Sequence, residues 1–138
     1  MDDAAQEVLP LSIRSDCKNK TPFPMPHFII DCSANVLSDT SEEQVITEIH
    51  QVAVASGLFT ENDIKVRMRP FETYLVGGKT TDFIHVFGSI MQGRTEAQRA
   101  ALSKAMVARL KTLFPQVPFI AMNVDEFEKS TYCNLHGL

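Results

Sequence analysis

Tryptophan is absent from this 138-residue chain, tyrosine occurs twice, and the 13 lysines and arginines are outnumbered by 17 aspartates and glutamates. The resulting net charge of −4 gives no general attraction to phosphate backbones or anionic lipid. With so few stacking rings and no basic surface, a sheet-based nucleic-acid binder is disfavoured. Cysteine is also scarce. Cys17, Cys32 and Cys133 form no Cys-x-x-Cys pair and stand near no histidine pattern, which argues against structural zinc and a disulfide scaffold and suits a reducing, cytoplasmic setting. No apolar run approaches the roughly 20 residues that a membrane helix needs. Asp2, Asp3 and Glu7 stand where an export signal would be basic. What remains, at 44% apolar and 22% charged residues, is the composition of one ordinary globular domain.

The stretch from Met1 to Met25 is polar, irregular and punctuated by Pro10, Pro22 and Pro24, and it reads as a tail. The mature protein is expected to lack residues 1–25, through an internal start at Met25 or cleavage of the tail, with residues 26–138 as the folded domain. From His27 the pattern becomes regular. HFIIDCS predicts a central strand, and Thr40 or Ser41 opens a capping signal for a helix that carries Val45, Ile49, Val52 and Ala53 and stops near Gly57. IKVRMRPF predicts a second strand, Gly77-Gly78 a turn, and DFIHVFGSIM a third strand. Thr95 with Gln98 caps a second helix, which Pro115 ends, and a fourth strand runs from about Phe119 to Phe127.

The two halves of this β-α-β-β-α-β order repeat at one constant offset, with Phe28-Ile29 matching Phe83-Ile84 and Thr40 matching Thr95. A duplicated β-α-β unit in an α+β domain follows, with right-handed crossovers that place both helices on one face of a four-stranded mixed sheet. FIIDC and FIHVF look too apolar to leave the other face in water, so self-association is expected.

Lys65, Arg67 and Arg69 alternate with Ile64, Val66 and Met68, so period two puts three cations on one face of the second strand. Two readings stay open: an anion-binding face, or a solvated edge strand guarded by its charges. Arg94, just before the capped second helix, is a further candidate for a carboxylate. The histidines His27, His50, His85 and His136 show no metal spacing. No Ser/His/Asp order and no phosphate-cradling glycine loop is present.

The run Met25-Pro26-His27-Phe28-Ile29-Ile30-Asp31-Cys32-Ser33, with Asn35 after it, resembles the amino terminus of 5-carboxymethyl-2-hydroxymuconate isomerases of the tautomerase superfamily. The similarity continues through Gly57-Leu58-Phe59, Ile64 to Arg69, Phe83-Ile84-His85 and Gly93-Arg94-Thr95 with Arg99. The resemblance implies a homotrimer whose sheets form a central barrel, with active sites near subunit boundaries. It implies a cofactor-free isomerase of aromatic-compound catabolism, in which an N-terminal proline moves a proton within a 2-hydroxy dienoate carrying carboxylates. Pro26 would then be the catalytic base and acid, Arg94 would bind substrate and stabilise the enolate, and Lys65 and Arg67 would hold carboxylates. Lys65 stands where relatives more often carry arginine, and Arg69 leaves the specific substrate open. His27 and His85 match family positions and are assigned packing or interface roles. The tail bears directly on this chemistry, because an internal proline nitrogen is an amide without useful basicity. The alternative expectation is therefore a non-catalytic trimeric binding protein in which residues 1–25 block Pro26.

Overall fold

A computed structural model of the chain describes residues 25–138. The expectations for residues 1–24 lie outside the described residues. Four strands, β1 (His27–Ser33), β2 (Lys65–Phe71), β3 (Phe83–Met91) and β4 (Phe119–Phe127), form one sheet in the order β2-β1-β3-β4. Helix α1 (Glu42–Ala55) connects β1 to β2, and α2 (Glu96–Leu113) connects β3 to β4. Each connected pair is parallel, while the central β1–β3 pair is antiparallel, so two β-α-β units join side by side.

The helix boundaries follow from local chemistry. Ser41 accepts from the backbone N–H of Gln44 and starts α1, which ends as Gly57 takes a φ of 73°. Thr95 and Gln98 make a complete capping box for α2, each side chain satisfying the other residue's backbone N–H. The tight turn between β2 and β3 uses Gly77 and Gly78 at φ 58° and 79°, where a Cβ would be strained.

Alternation along the strands divides the sheet. Phe28, Ile30 and Cys32 of β1 and Ile84 and Val86 of β3 are buried against Val45, Ile49, Val52 and Ala53 of α1 and Leu102, Met106 and Leu110 of α2. Val66 and Met68 extend this core from one edge, and Ile120, Met122 and Val124 from the other. All of these residues lie between Phe28 and Val124, so the span after Pro26 carries its own core. Cys32 is so enclosed that burial, helped by Glu42, Asp31 and Asp82, pushes its thiol up to about 12. It is an inert packing residue.

The face away from the helices differs from its expected character. Alternation sends most of the apolar content of FIIDC and FIHVF to the core. The open side presents His27, Ile29 and Asp31 from β1 and Phe83, His85, Phe87 and Ser89 from β3, flanked by the cations of β2. Polar groups bridge the strands there: Arg69 makes a two-point contact to Asp31 at 2.7 and 3.1 Å, His85 Nε2 lies 2.6 Å from Asn123 Oδ1, and Asn123 Nδ2 donates to Asp125. This face is half polar, with Ile29, Phe83, Phe87 and Phe119 as its apolar part. Among the described residues no helix is long and apolar enough to cross a membrane.

Candidate functional site

Pro26 is buried at the entry to β1, and its carbonyl accepts from the backbone N–H of Lys65 at 3.2 Å. That bond extends the parallel β1–β2 pairing, in which His27 faces Lys65 and Ile29 faces Arg67. The start of β1 is thereby fixed beside the start of β2. On its other side β1 runs antiparallel to β3, with His27 opposite Ser89, so Pro26 sits beside the C-terminal end of β3 and the segment leading into α2.

Arg94 belongs to that segment. Its Nη1 donates to the carbonyl of Met91 at 3.2 Å and its Nη2 to the carbonyl of Leu58 at 2.6 Å. The guanidinium also lies 4.9 Å from the centre of the Phe59 ring. Phe59 in turn meets Phe28, close after Pro26 in β1, edge to face at a centroid distance of 5.8 Å. A continuous chain of contacts therefore joins Arg94 to β1 next to Pro26. Burial lowers the Arg94 pKa, and the charge of Glu126 opposes that shift. A guanidinium starts so far above neutrality that Arg94 remains a cation. Arg99, one turn into α2, stands 3.5 Å from Glu126, close enough for an ion pair but without hydrogen-bond geometry at its buried Nε.

Lys65 and Arg67 lie on the open face, reaching the same end of the sheet from the side opposite Arg94. Lys65 Nζ donates to the carbonyl of Asp63 at 2.9 Å. Arg67 Nη1 lies 3.0 Å from Nδ1 of His27. Arg69 is set apart from them. It stands farther along β2, and its contact with Asp31 raises its pKa and answers its charge. Of the residues singled out by sequence, then, Lys65 and Arg67 stand on the open face beside the start of β1, Arg94 is linked to β1 through Phe59 and Phe28, and Arg69 belongs to a separate pair. β2 is also an edge strand, so the two readings of its charges meet in one element. Sequence reasoning passed over His27 as a partner of Arg67 and Phe59 as the platform under Arg94. Spacing alone gives neither, since both depend on strand register and loop path.

Pro26 thus opens a strand whose register brings Lys65 and Arg67 to its start, and Arg94 reaches that strand through Phe59 and Phe28. Among the described residues no group of three or more His, Cys, Asp and Glu is placed to hold a metal ion.

Comparison with known proteins places the chain in a family. The profile of a family described as 5-carboxymethyl-2-hydroxymuconate isomerase matches residues 26–134. The chain belongs to that family. The match opens on Pro26 itself. A curated relative, the 5-carboxymethyl-2-hydroxymuconate Delta-isomerase of Escherichia coli, is 25% identical over 92 residues, covering 65% of this chain and 73% of that protein. Among solved structures, a 5-carboxymethyl-2-hydroxymuconate isomerase from Deinococcus radiodurans superposes with a TM-score of 0.69 at 19% identity, covering 79% of this chain and 87% of the other. A macrophage migration inhibitory factor-like protein from Entamoeba histolytica superposes with a TM-score of 0.64 at 14% identity, covering 79% and 94%. These structural likenesses establish the tautomerase-like fold: two β-α-β units, one mixed four-stranded sheet and two helices on one face.

Proposed function

We propose that this member of the isomerase family is a cofactor-free tautomerase. Its substrate is an unsaturated 2-hydroxy or 2-oxo polycarboxylic acid such as 5-carboxymethyl-2-hydroxymuconate, and it works in a mature chain whose first residue is Pro26. The observation that carries this reading is that the start of β1 gathers the cations: the Pro26 carbonyl accepts from the Lys65 backbone, Arg67 meets His27, and Arg94 stacks on Phe59, which meets Phe28. The family match beginning at residue 26 supports the same boundary.

The chemistry follows from the residue types. A free N-terminal proline is a secondary amine, and an α-amino group ordinarily titrates at about 7.7 to 8.0. Burial and neighbouring cations both disfavour its ammonium form, leaving free amine at neutral pH. The amine takes the proton from the 2-hydroxyl of the dienol. As the oxygen becomes a ketone, the electron pair moves along the conjugated chain, and the ammonium returns the proton to carbon. One O–H bond breaks, one C–H bond forms, and the amine ends as it began. Arg94 stabilises negative charge on the oxygen, while Lys65 and Arg67 hold carboxylates. We also propose a homotrimer joined through the open sheet face, where Ile29, Phe83, Phe87 and Phe119 lack a cover within one subunit.

The test is ketonisation of 2-hydroxymuconate by the chain beginning at Pro26. Turnover is expected, and Arg94→Ala should reduce kcat by about 100-fold, the lower range for loss of one oxyanion-stabilising donor. A wild-type chain of residues 26–138 that leaves the dienol untouched would instead favour a non-catalytic oligomeric binding protein. Unchanged kcat in the variant would remove Arg94 from the chemistry.

A further inference from the structure

The three cations on the open face of β2 have three different kinds of partner. Lys65 is tied to a backbone carbonyl. Arg69 is matched by a carboxylate, each oxygen of Asp31 accepting one of its N–H groups. Arg67 has neither: its partner is the imidazole of His27, with Nη1 and Nδ1 3.0 Å apart. Among the described residues no carboxylate lies within ion-pair distance of Arg67.

The strand register explains how this choice arises. Arg67 stands opposite Ile29, whose side chain shares the open face with His27 on one side and Asp31 on the other. Arg67 therefore has two polar neighbours on β1 within reach. Arg69 stands directly opposite Asp31 and occupies it, so Arg67 is drawn to His27, toward the Pro26 end of the sheet. An arginine is a donor only, so Nδ1 of His27 must be the acceptor and the ring must be neutral. Such a partner orients a guanidinium without cancelling its charge, which a carboxylate in the same place would do.

We infer that His27 is a positioning residue for substrate recognition: its neutral ring fixes Arg67 at the Pro26 end of β1 as a cation whose charge is left for a substrate carboxylate. This rests on the carboxylate-binding reading of the site given above. The surroundings of the ring favour the required state. Burial is the main cause that lowers the His27 pKa, with Arg67 and Lys65 from β2 adding to it. From β3 the residue opposite is Ser89, which carries no charge; Asp31, on the same strand, is engaged by Arg69. Protonation of His27 turns Nδ1 into a donor that repels Arg67, so the acceptor is lost only at pH below the ordinary histidine range of about 6.5.

The experiment is calorimetric binding of muconate, a dicarboxylate with no enol to turn over, to the chain beginning at Pro26. His27→Ala should weaken binding by about tenfold, the range for one hydrogen bond to a charged group. His27→Asn, which keeps a neutral acceptor at the position of Nδ1, should bind within about threefold of wild type on the same basis. The Pro26 amine titrates in this range in both chains alike, so the ratio of wild-type to asparagine-variant affinity should hold from pH 8 through about 6.5 and fall only below. In turnover, the alanine change should appear in KM and leave kcat within about twofold, the pattern of a lost binding interaction. The inference is overturned if muconate fails to bind wild type, if the alanine variant binds equally well, if asparagine fails to rescue, or if the acid loss has its midpoint at or above the ordinary histidine value. Muconate binding with this variant and pH pattern, but no turnover of dienols, would overturn the tautomerase reading and leave the role of His27 standing.

Discussion

Pro26→Ala in the chain that begins at that residue is expected to lower kcat for 2-hydroxymuconate by about 100-fold or more, the scale of one positioned general acid–base group. Alanine retains an amine, but a primary one on a freely rotating bond. Proline's ring closes on its own nitrogen, which removes rotation about the N–Cα bond and so fixes the direction of the nitrogen lone pair relative to β1. On the proposed mechanism the loss falls on kcat rather than KM, because the amine would act on the proton in transit while Arg94, Lys65 and Arg67 would hold the substrate. Steady-state kinetics of the two chains, each with its N-terminus verified by intact mass, give the answer. A change of less than about threefold would mean that the proline ring does not position the base.

Phe28→Ala is expected to destabilise the domain by about 3 to 5 kcal/mol, the usual cost of emptying a fully buried aromatic site. Phe28 has no exposed surface, sits in the central strand β1, and meets Phe59 edge to face. A domain of this size holds roughly 5 to 15 kcal/mol in total, so a large share would go. Thermal unfolding should shift down by more than about 10 °C. The change should also reach the site, because Phe59 is the ring beneath Arg94. The variant therefore ought to lose more kcat than its residual folded fraction explains. A midpoint shift under a few degrees would show that Phe28 is not the keystone of this face of the sheet.

Much of this fold is legible in the chain itself. HFIIDCS reads as a strand because its β-branched and aromatic residues alternate between two faces, and His27–Ser33 is β1. Thr95 and Gln98 stand at capping-box spacing before an apolar helical face, and they form the capping box of α2. Period two put Lys65, Arg67 and Arg69 on one face, as observed. The choice of partner for each of those cations was out of reach. It depends on the pairing that sets Arg69 opposite Asp31 and Arg67 opposite Ile29, and register between strands separated by a whole helix leaves no mark on either strand alone. The division of the apolar residues between the two faces follows from the same alternation. FIHVF is rich in apolar residues in total, but Ile84 and Val86 go to the core, leaving Phe83, His85 and Phe87 outside. Arg94 was recognisable as a cation before a helix. Its hold on the Leu58 carbonyl, far earlier in the chain, is a product of tertiary folding.

The most direct test of the account is to compare two preparations on one dienol. One is the unprocessed chain of residues 1–138, in which the Pro26 nitrogen is an amide; the other begins at Pro26. The account predicts ketonisation of 2-hydroxymuconate by the shorter chain and only the uncatalysed rate with the longer. Equal kcat for the two, with intact mass showing the longer chain uncut at the end of the assay, would contradict it.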